Sequence, residues 1–293
     1  TNCRIIQDKD SATVIDAGHG MGHVAAYRAM DIAIAKAKKF GCAISVIKNG
    51  THFGIAGYYS LMAVKNNMVG ITFTNARPSV TPTFGVEPLL GTNPISFGAP
   101  GNLEFPFLLD MATSISQRGK IELLEKIGKQ TPPGWVIGED GETNCDTKQI
   151  LQNLLSKTSA LLPLGGSSET YGGHKGYGLS TMVEILSTAL SNSNYLKDTS
   201  GVKKGQKVPL GLGHFFMAVN IEHFISIDIF KSIVGNIMQT LKNARKAPDS
   251  EQIYVAGEKE YLVMQKRLKE GIPINETQYQ IIQNIEKEFD ISL

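Results

Sequence analysis

Cysteine is scarce and scattered. Cys3, Cys42 and Cys145 are the three in a chain of 293 residues. None stands at a CxxC spacing, which excludes a disulfide framework or a zinc ribbon and favours a reducing compartment. Long apolar runs are missing too: none reaches the roughly 18 residues of a membrane span, and the N-terminus lacks the charged-then-apolar pattern of a signal peptide. A soluble, cytoplasmic protein is expected. Charge of one sign is not in excess, with a net +2 and no long Lys/Arg run. That gives no electrostatic case for nucleic acid or an anionic membrane and leaves a small metabolite as the expected partner. Internal repeats, heptads and low-complexity tracts are absent.

What is there is ordinary globular composition, 42% hydrophobic and 19% charged, in a chain long enough to bury a substantial core in about two subdomains. The stretch that organises the rest is 48–60. A β-branched run, Ala43 to Ile47, reads as a strand; Leu61 to Asn66 read as a helix. Gly50, Thr51, His52, Phe53, Gly54 and Gly57 therefore lie at a strand-to-helix turn, where backbone N–H groups are unpaired and glycines let a ligand approach. His52 is either a site residue there or a packed helix start; both readings stand.

Upstream, Ala12 to Ile15 read as a strand and Val24 to Phe40 as a helix, joined by Gly18-His19-Gly20-Met21-Gly22-His23. This is not a dinucleotide fingerprint, because the third glycine of G-x-G-x-x-G would fall on His23. His19 and His23 have no acidic third ligand nearby, so no metal site is expected. Downstream, Met68 to Thr74, Ile95 to Ala99 and Phe105 to Leu109 read as strands ending or beginning at polar residues. Asn75, the Thr92-Asn93 pair and Asp110 would then converge at one sheet edge. Arg118 and Lys120 precede a helix from Ile121 to Ile127 and suit a carboxylate substrate, or are solvated charges. Pro132 to Asp146 read as an exposed turn and Ser191 to Pro209 as a mobile loop. Gly173-His174-Lys175-Gly176-Tyr177-Gly178 opens a helix from Leu179 to Ala189. It is no Walker A, yet a His and a Lys at a helix start suggest an anion or cofactor seat. Phe215 to Val219 read as a strand, and helices follow at Ser226 to Ala244, Lys259 to Glu270 and Glu276 to Phe289.

Taken together and in order, these motifs resemble one family. Asn49-Gly50-Thr51-His52-Phe53-Gly54-Ile55-Ala56-Gly57-Tyr58-Tyr59, Gly91-Thr92-Asn93-Pro94, Leu109-Asp110-Met111-Ala112-Thr113-Ser114, Gly119-Lys120, Leu164-Gly165-Gly166, Gly173 to Gly178 and Ala256-Gly257-Glu258 look like the non-Rossmann malate/L-lactate dehydrogenases. Ureidoglycolate and sulfolactate dehydrogenases and imine-acid reductases belong to the same family. The resemblance implies an α+β fold with a mixed, largely antiparallel sheet and flanking helices. A cofactor-binding sheet domain would span 12–190, and a remaining strand and helical region 191–293.

It further implies a homodimeric NAD(P)-dependent oxidoreductase acting on a 2-hydroxy or 2-oxo acid, most simply malate and oxaloacetate, with NAD as cofactor and NADP open. His52, Phe53, Gly54, Ile55, Ala56, Asn75, Leu109, Asp110, Met111, His174, Lys175, Gly257 and Glu258 are the implied cofactor contacts. Thr92 and Arg118 are the implied substrate contacts, and His52 and Lys120 the candidate catalytic groups. Ala256 stands where the family usually has proline. The family's proton-donor His, in a Ser-His-Gly motif, belongs to an N-terminal helical segment that would precede Thr1, so a fragment is expected. A catalytically impaired NAD-binding protein and a reductase of another 2-oxo or cyclic imino acid are the alternatives.

Overall fold

The computed structural model describes residues 2–292. In chain order the elements are β1 (Arg4–Asp8), β2 (Ala12–Asp16), α1 (Gly22–Phe40), β3 (Cys42–Gly50), α2 (Ala56–Val64), β4 (Met68–Thr74), β5 (Ile95–Ala99), β6 (Phe107–Met111), α3 (Arg118–Lys126) and β7 (Val136–Gly138). They continue with α4 (Thr147–Ser156), β8 (Ser159–Leu161), α5 (Gly173–Thr188), β9 (Val202–Lys203), β10 (Gln206–Lys207), β11 (Leu212–Asn220), α6 (Ile227–Lys242), α7 (Glu258–Glu270) and α8 (Glu276–Phe289).

Period-two alternation builds the central sheet. Its order is β1-β2-β3-β11-β4-β5-β6. The β2–β3 pair is parallel and every other pair in this sheet is antiparallel, as expected for the α+β class. Ala43, Ile47, Phe216 and Ala218 turn to one face and pack with α1 and α2. Ile44, Val46, Phe73, Phe215 and Met217 turn to the other, against Val183 and Leu186 of α5. The α1 stripe is mostly alanine, Ala25, Ala26, Ala29, Ala33 and Ala37, all fully buried. Small side chains let the helix lie close to the sheet, where larger ones would overpack by about 1–3 kcal/mol each.

A smaller lobe surrounds the β7–β8 pair, with α3 and α4 contributing Ile121 and Ile150 to its core. A third cluster, Phe105, Met238 and Val255, seats α6 against the chain entering β6.

Several expectations are corrected by this arrangement. β11 sits between β3 and β4, so the sheet takes its central strand from beyond residue 190. The 132–146 segment is not simply an exposed turn, because Val136 and Ile137 are buried strand residues. Nor is 191–209 a free loop. Ser193 Oγ donates to Ile47 O (3.3 Å), Thr199 Oγ1 to Ala76 O (3.3 Å) and Leu196 N to Glu184 Oε1 (2.9 Å), so the segment is tied to the body. β6 runs two residues later than expected, with Met111 paired to Ile95, and Pro106, lacking an N–H, lies just outside it. Asp110 is therefore within the strand rather than its stop. α2, α3 and α5 each begin earlier than propensity suggests, since tertiary packing overrides the cost of glycines such as Gly57 and Gly176.

One buried group ties the sheet to the 48–60 turn. His214 of β11 is fully buried; its Nε2 is 3.1 Å from Thr51 O and its Nδ1 2.6 Å from Thr74 Oγ1. A carbonyl only accepts, so Nε2 carries the proton and Nδ1 accepts from the threonine hydroxyl. The ring stacks on Phe53 at 4.7 Å.

Burial lowers its pKa to about 4, and the neighbouring His52 adds to the effect. The native state thus holds this imidazole neutral while the unfolded chain protonates it near 6.5. Stability from this site is complete above about pH 6.5 and is lost as pH falls toward 4, by about 3 kcal/mol in total. Urea unfolding of wild type and His214→Gln from pH 4 to 7 should show wild type gaining on the variant as pH rises. Parallel curves would contradict it.

Candidate functional site

The strand register brings the ends of β3, β4 and β6 and the starts of β5 and β11 to one sheet edge: Gly50 pairs with Leu212, His214 with Thr74, Phe73 with Ile95 and Ile95 with Met111. Asn75 and the Thr92-Asn93 pair meet at this edge through Glu184, while Asp110 lies inside β6 against the α2 start. A cavity of about 590 Å³ opens at this edge, and His52, Phe53, Gly54, Asn75, Thr92 and Arg118 all border it.

The turn carrying His52 is built by close backbone approach. Thr51 Oγ1 donates to Gly20 O (2.8 Å) and accepts from Gly22 N (2.9 Å), and a Cβ on Gly22 would run into the Thr51 and His52 carbonyls. The glycine-rich 18–22 segment is thus a packing surface for the site turn. Gly54 has φ +84°, and a Cβ there would meet His23 Nε2 at 2.8 Å. His23 is accounted for by that contact. His52 is exposed, and its Nδ1 accepts from Gly54 N at 3.1 Å. That contact favours the neutral tautomer with the proton on Nε2, leaving Nε2–H as a donor.

A polar clamp fixes the opposite wall. Glu184 of α5 is buried and accepts from Asn93 Nδ2 (2.8 Å), Asn75 Nδ2 (3.3 Å) and Leu196 N (2.9 Å). Asn93 Oδ1 in turn accepts from Ala76 N (3.2 Å), and Asn75 Oδ1 from Gly213 N (3.0 Å). Asn75 spends both ends of its amide on protein partners, so its place at the cavity is structural. Thr92 O is held by Thr113 N (2.9 Å) and Thr113 Oγ1 (3.2 Å), which sets the residue in the wall.

The expected cofactor residues fall into two groups. In the first, Gly57 N donates to Asp110 Oδ2 (2.7 Å) and Leu108 N to Ala256 O (3.1 Å), so 53–57, 108–111 and 256–257 form one continuous strip beside the cavity. The carboxyl of Asp110, although the residue is exposed, lies against the α2 start. Desolvation there raises its pKa, the Gly57 N–H opposes this, and Glu260 adds to the rise. Ile55 is 74% exposed beside it. Glu258 is different: it is buried, pairs with Lys242, and accepts from Val255 N (3.2 Å) and Gln252 Nε2 (3.1 Å), so its carboxylate locks the α7 start.

In the second group, His174 and Lys175 are exposed on the first turn of α5. Leu164 N bonds to Thr113 O (3.0 Å), and Gly176 packs on Leu164, which links this helix start to the chain leaving β6. Neither residue borders the cavity.

Arg118 and Lys120 also part company. α3 begins at Arg118, so Arg118 and Gly119 face the cavity while Lys120 lies beyond its lining. Arg118 Nε is 2.8 Å from Glu122 Oε1, an exposed pair one helical turn apart. Sequence reasoning passed over Arg77 and Lys157, which also border the cavity. For Arg77 the available signal was an arginine three residues past a strand end and directly before a proline.

The comparisons agree with this architecture. The pattern that defines the malate/L-lactate dehydrogenase family matches residues 1–283. A malate dehydrogenase of Pyrococcus horikoshii is 47% identical over 274 residues, 92% of this chain and 73% of that protein. The crystal structure of malate dehydrogenase from Entamoeba histolytica superposes with a TM-score of 0.96 at 42% identity, covering 100% of this chain and 81% of that one. Sulfolactate dehydrogenase from Methanocaldococcus jannaschii superposes with a TM-score of 0.83 at 34% identity, covering 99% and 79%. A family match over nearly the whole chain, with the motif turns meeting at one edge, means that this chain belongs to the malate/L-lactate dehydrogenase family.

Proposed function

We propose that the protein is a nicotinamide-dependent dehydrogenase that interconverts malate and oxaloacetate. The observation that carries this reading is the charge of the cavity. Its lining holds His52, Arg77, Arg118 and Lys157 and no Asp or Glu. A small dianion is the ligand such a wall selects. The first-turn amides of α3 at Arg118 and Gly119 add to it, since α-helical geometry leaves them without an intrahelical partner. They, the Arg118 guanidinium and Thr92 would hold the carboxylate next to the reacting carbon.

The strip beside the cavity suits a dinucleotide. It offers exposed Ile55 for a ring face and the Asp110 carboxyl, seated on the α2 start, for a ribose hydroxyl. Asp110 and Glu260 close to each other disfavour a 2′-phosphate, which supports NAD over NADP. When bound, the nicotinamide supplies or accepts hydride. The chain's own part is to orient the acid and stabilise the charge that appears on the C2 oxygen. His52, whose Nδ1 accepts from Gly54 N, would hydrogen-bond through Nε2–H to that oxygen as negative charge builds on it, keeping its own proton. Lys120 has no part in this step.

A homodimer is also proposed. Ile229, Ile233, Ile237 and Leu241 recur at one-turn spacing on α6, each about half exposed, a continuous apolar stripe that solvent disfavours. Sedimentation of wild type should give two chains per particle and of Ile233→Glu/Ile237→Glu one. A monomeric wild type would contradict the dimer.

Oxidation of NADH and NADPH should be followed with oxaloacetate, pyruvate, sulfopyruvate and a cyclic imino acid. The expected result is preference for oxaloacetate with NADH. His52→Gln should lower kcat/KM by about tenfold or more, mainly through kcat. Cofactor binding without turnover of any substrate would replace this reading with that of a binding protein.

A further inference from the structure

Of the four groups able to carry positive charge in the cavity wall, Arg77 differs from the rest. Arg118 shares its charge with Glu122. Lys157 also has no carboxylate partner among the described residues, but it is a point charge past the end of α4 in a left-handed conformation, and His52 spends Nδ1 on Gly54 N. No carboxylate pairs with Arg77 among the described residues.

Yet its backbone is fixed on both sides. Before it, Ala76 N donates to Asn93 Oδ1 (3.2 Å), and Ala76 O accepts from Thr199 Oγ1 (3.3 Å). After it, Pro78 restricts Arg77 to extended conformations, and Ser79 N donates to Leu90 O (2.8 Å). The Glu184 clamp anchors Asn75 and Asn93 in turn. Arg77 is exposed at the cavity wall, so its guanidinium is open to a ligand while its backbone is fixed.

A 2-oxo monocarboxylate has a single carboxylate, next to the reacting carbonyl, and Thr92 with the α3 start suffices for it. A second, unpaired cation on a fixed backbone in the same acid-free wall suits a substrate with a second anionic group. We propose that Arg77 binds the distal anionic group of the substrate and so sets the preference for dicarboxylates over monocarboxylates. This rests on the proposed dehydrogenase reading and adds a residue and a substrate class to it.

The test compares wild type, Arg77→Gln and Arg77→Lys, with NADH, on oxaloacetate, sulfopyruvate and pyruvate. In Arg77→Gln, kcat/KM for oxaloacetate and sulfopyruvate should fall about tenfold to a hundredfold, chiefly through KM, since a charge-assisted bidentate pair is lost from a group remote from the chemistry. Pyruvate should change by less than about threefold. Arg77→Lys should recover part of the loss, as a point charge without the planar fork. An equal fall on all three substrates, or none on any, overturns the proposal.

Calorimetric titration with malate and lactate in the presence of NADH reads Arg77 without turnover. Wild type should prefer malate and Arg77→Gln should lose that preference. A preference unchanged in the variant, or absent from wild type, overturns the assignment even if the protein turns over no 2-oxo acid. Loss of the preference with no turnover keeps Arg77 and removes the dehydrogenase reading alone.

Discussion

A single buried carboxylate, Glu184, holds together three stretches of chain that are far apart in sequence. Its oxygens accept from Asn75 at the end of β4, Asn93 at the start of β5 and the Leu196 amide of the segment before β11. All three donors are neutral. A buried carboxylate left without them would cost several kcal/mol, so the contacts are mutually enforcing rather than optional. The clamp fixes one wall of the cavity, because Thr92 and Arg77 are each next to a residue it binds or orients.

The other wall is fixed from below. Thr51 O is the acceptor for a buried imidazole, and Thr51 Oγ1 bridges the turn that opens α1. Phe53 lies between His214 and Tyr59, and the Tyr59 hydroxyl donates to the Phe53 carbonyl. Burial pushes that phenol up to about 12, so it remains a donor throughout the physiological range. His52 is thus an exposed side chain on a turn whose neighbours are immobilised, the condition under which an Nε2–H donor can be preorganised for charge that develops on a substrate oxygen.

Much of this was legible in the sequence, for identifiable reasons. Strands with β-branched residues such as Met68 to Thr74 were placed correctly, and the polar residues Asn75 and Asn93 at strand boundaries meet at one edge as turn chemistry suggested, whereas Asp110 lies inside its strand. The misplaced elements share a cause. Helix starts at Ala56, Arg118 and Gly173 are written in glycines and polar residues whose local preference is against helix, and only contacts with distant chain decide them. β7 and the central position of β11 depend on long-range pairing, which local periodicity does not record. Within the site, Glu258 looked like a ligand-facing acid and is an internal lock, while Arg77, not singled out in the sequence, borders the cavity. Charge type is readable from sequence, but whether a charge is already paired is settled in three dimensions.

In the proposed function, an acid-free cationic cavity at one sheet edge receives a dicarboxylate whose reacting oxygen faces His52. The most direct measurement is a crystal structure of the protein grown with NADH and malate. Density for the four-carbon acid is expected in the cavity bounded by His52, Thr92, Arg118 and Arg77, with the C2 oxygen within hydrogen-bond reach of His52 Nε2 and the dinucleotide along Ile55 and Asp110. Malate bound away from His52, or a dinucleotide occupying the cavity itself, would contradict it.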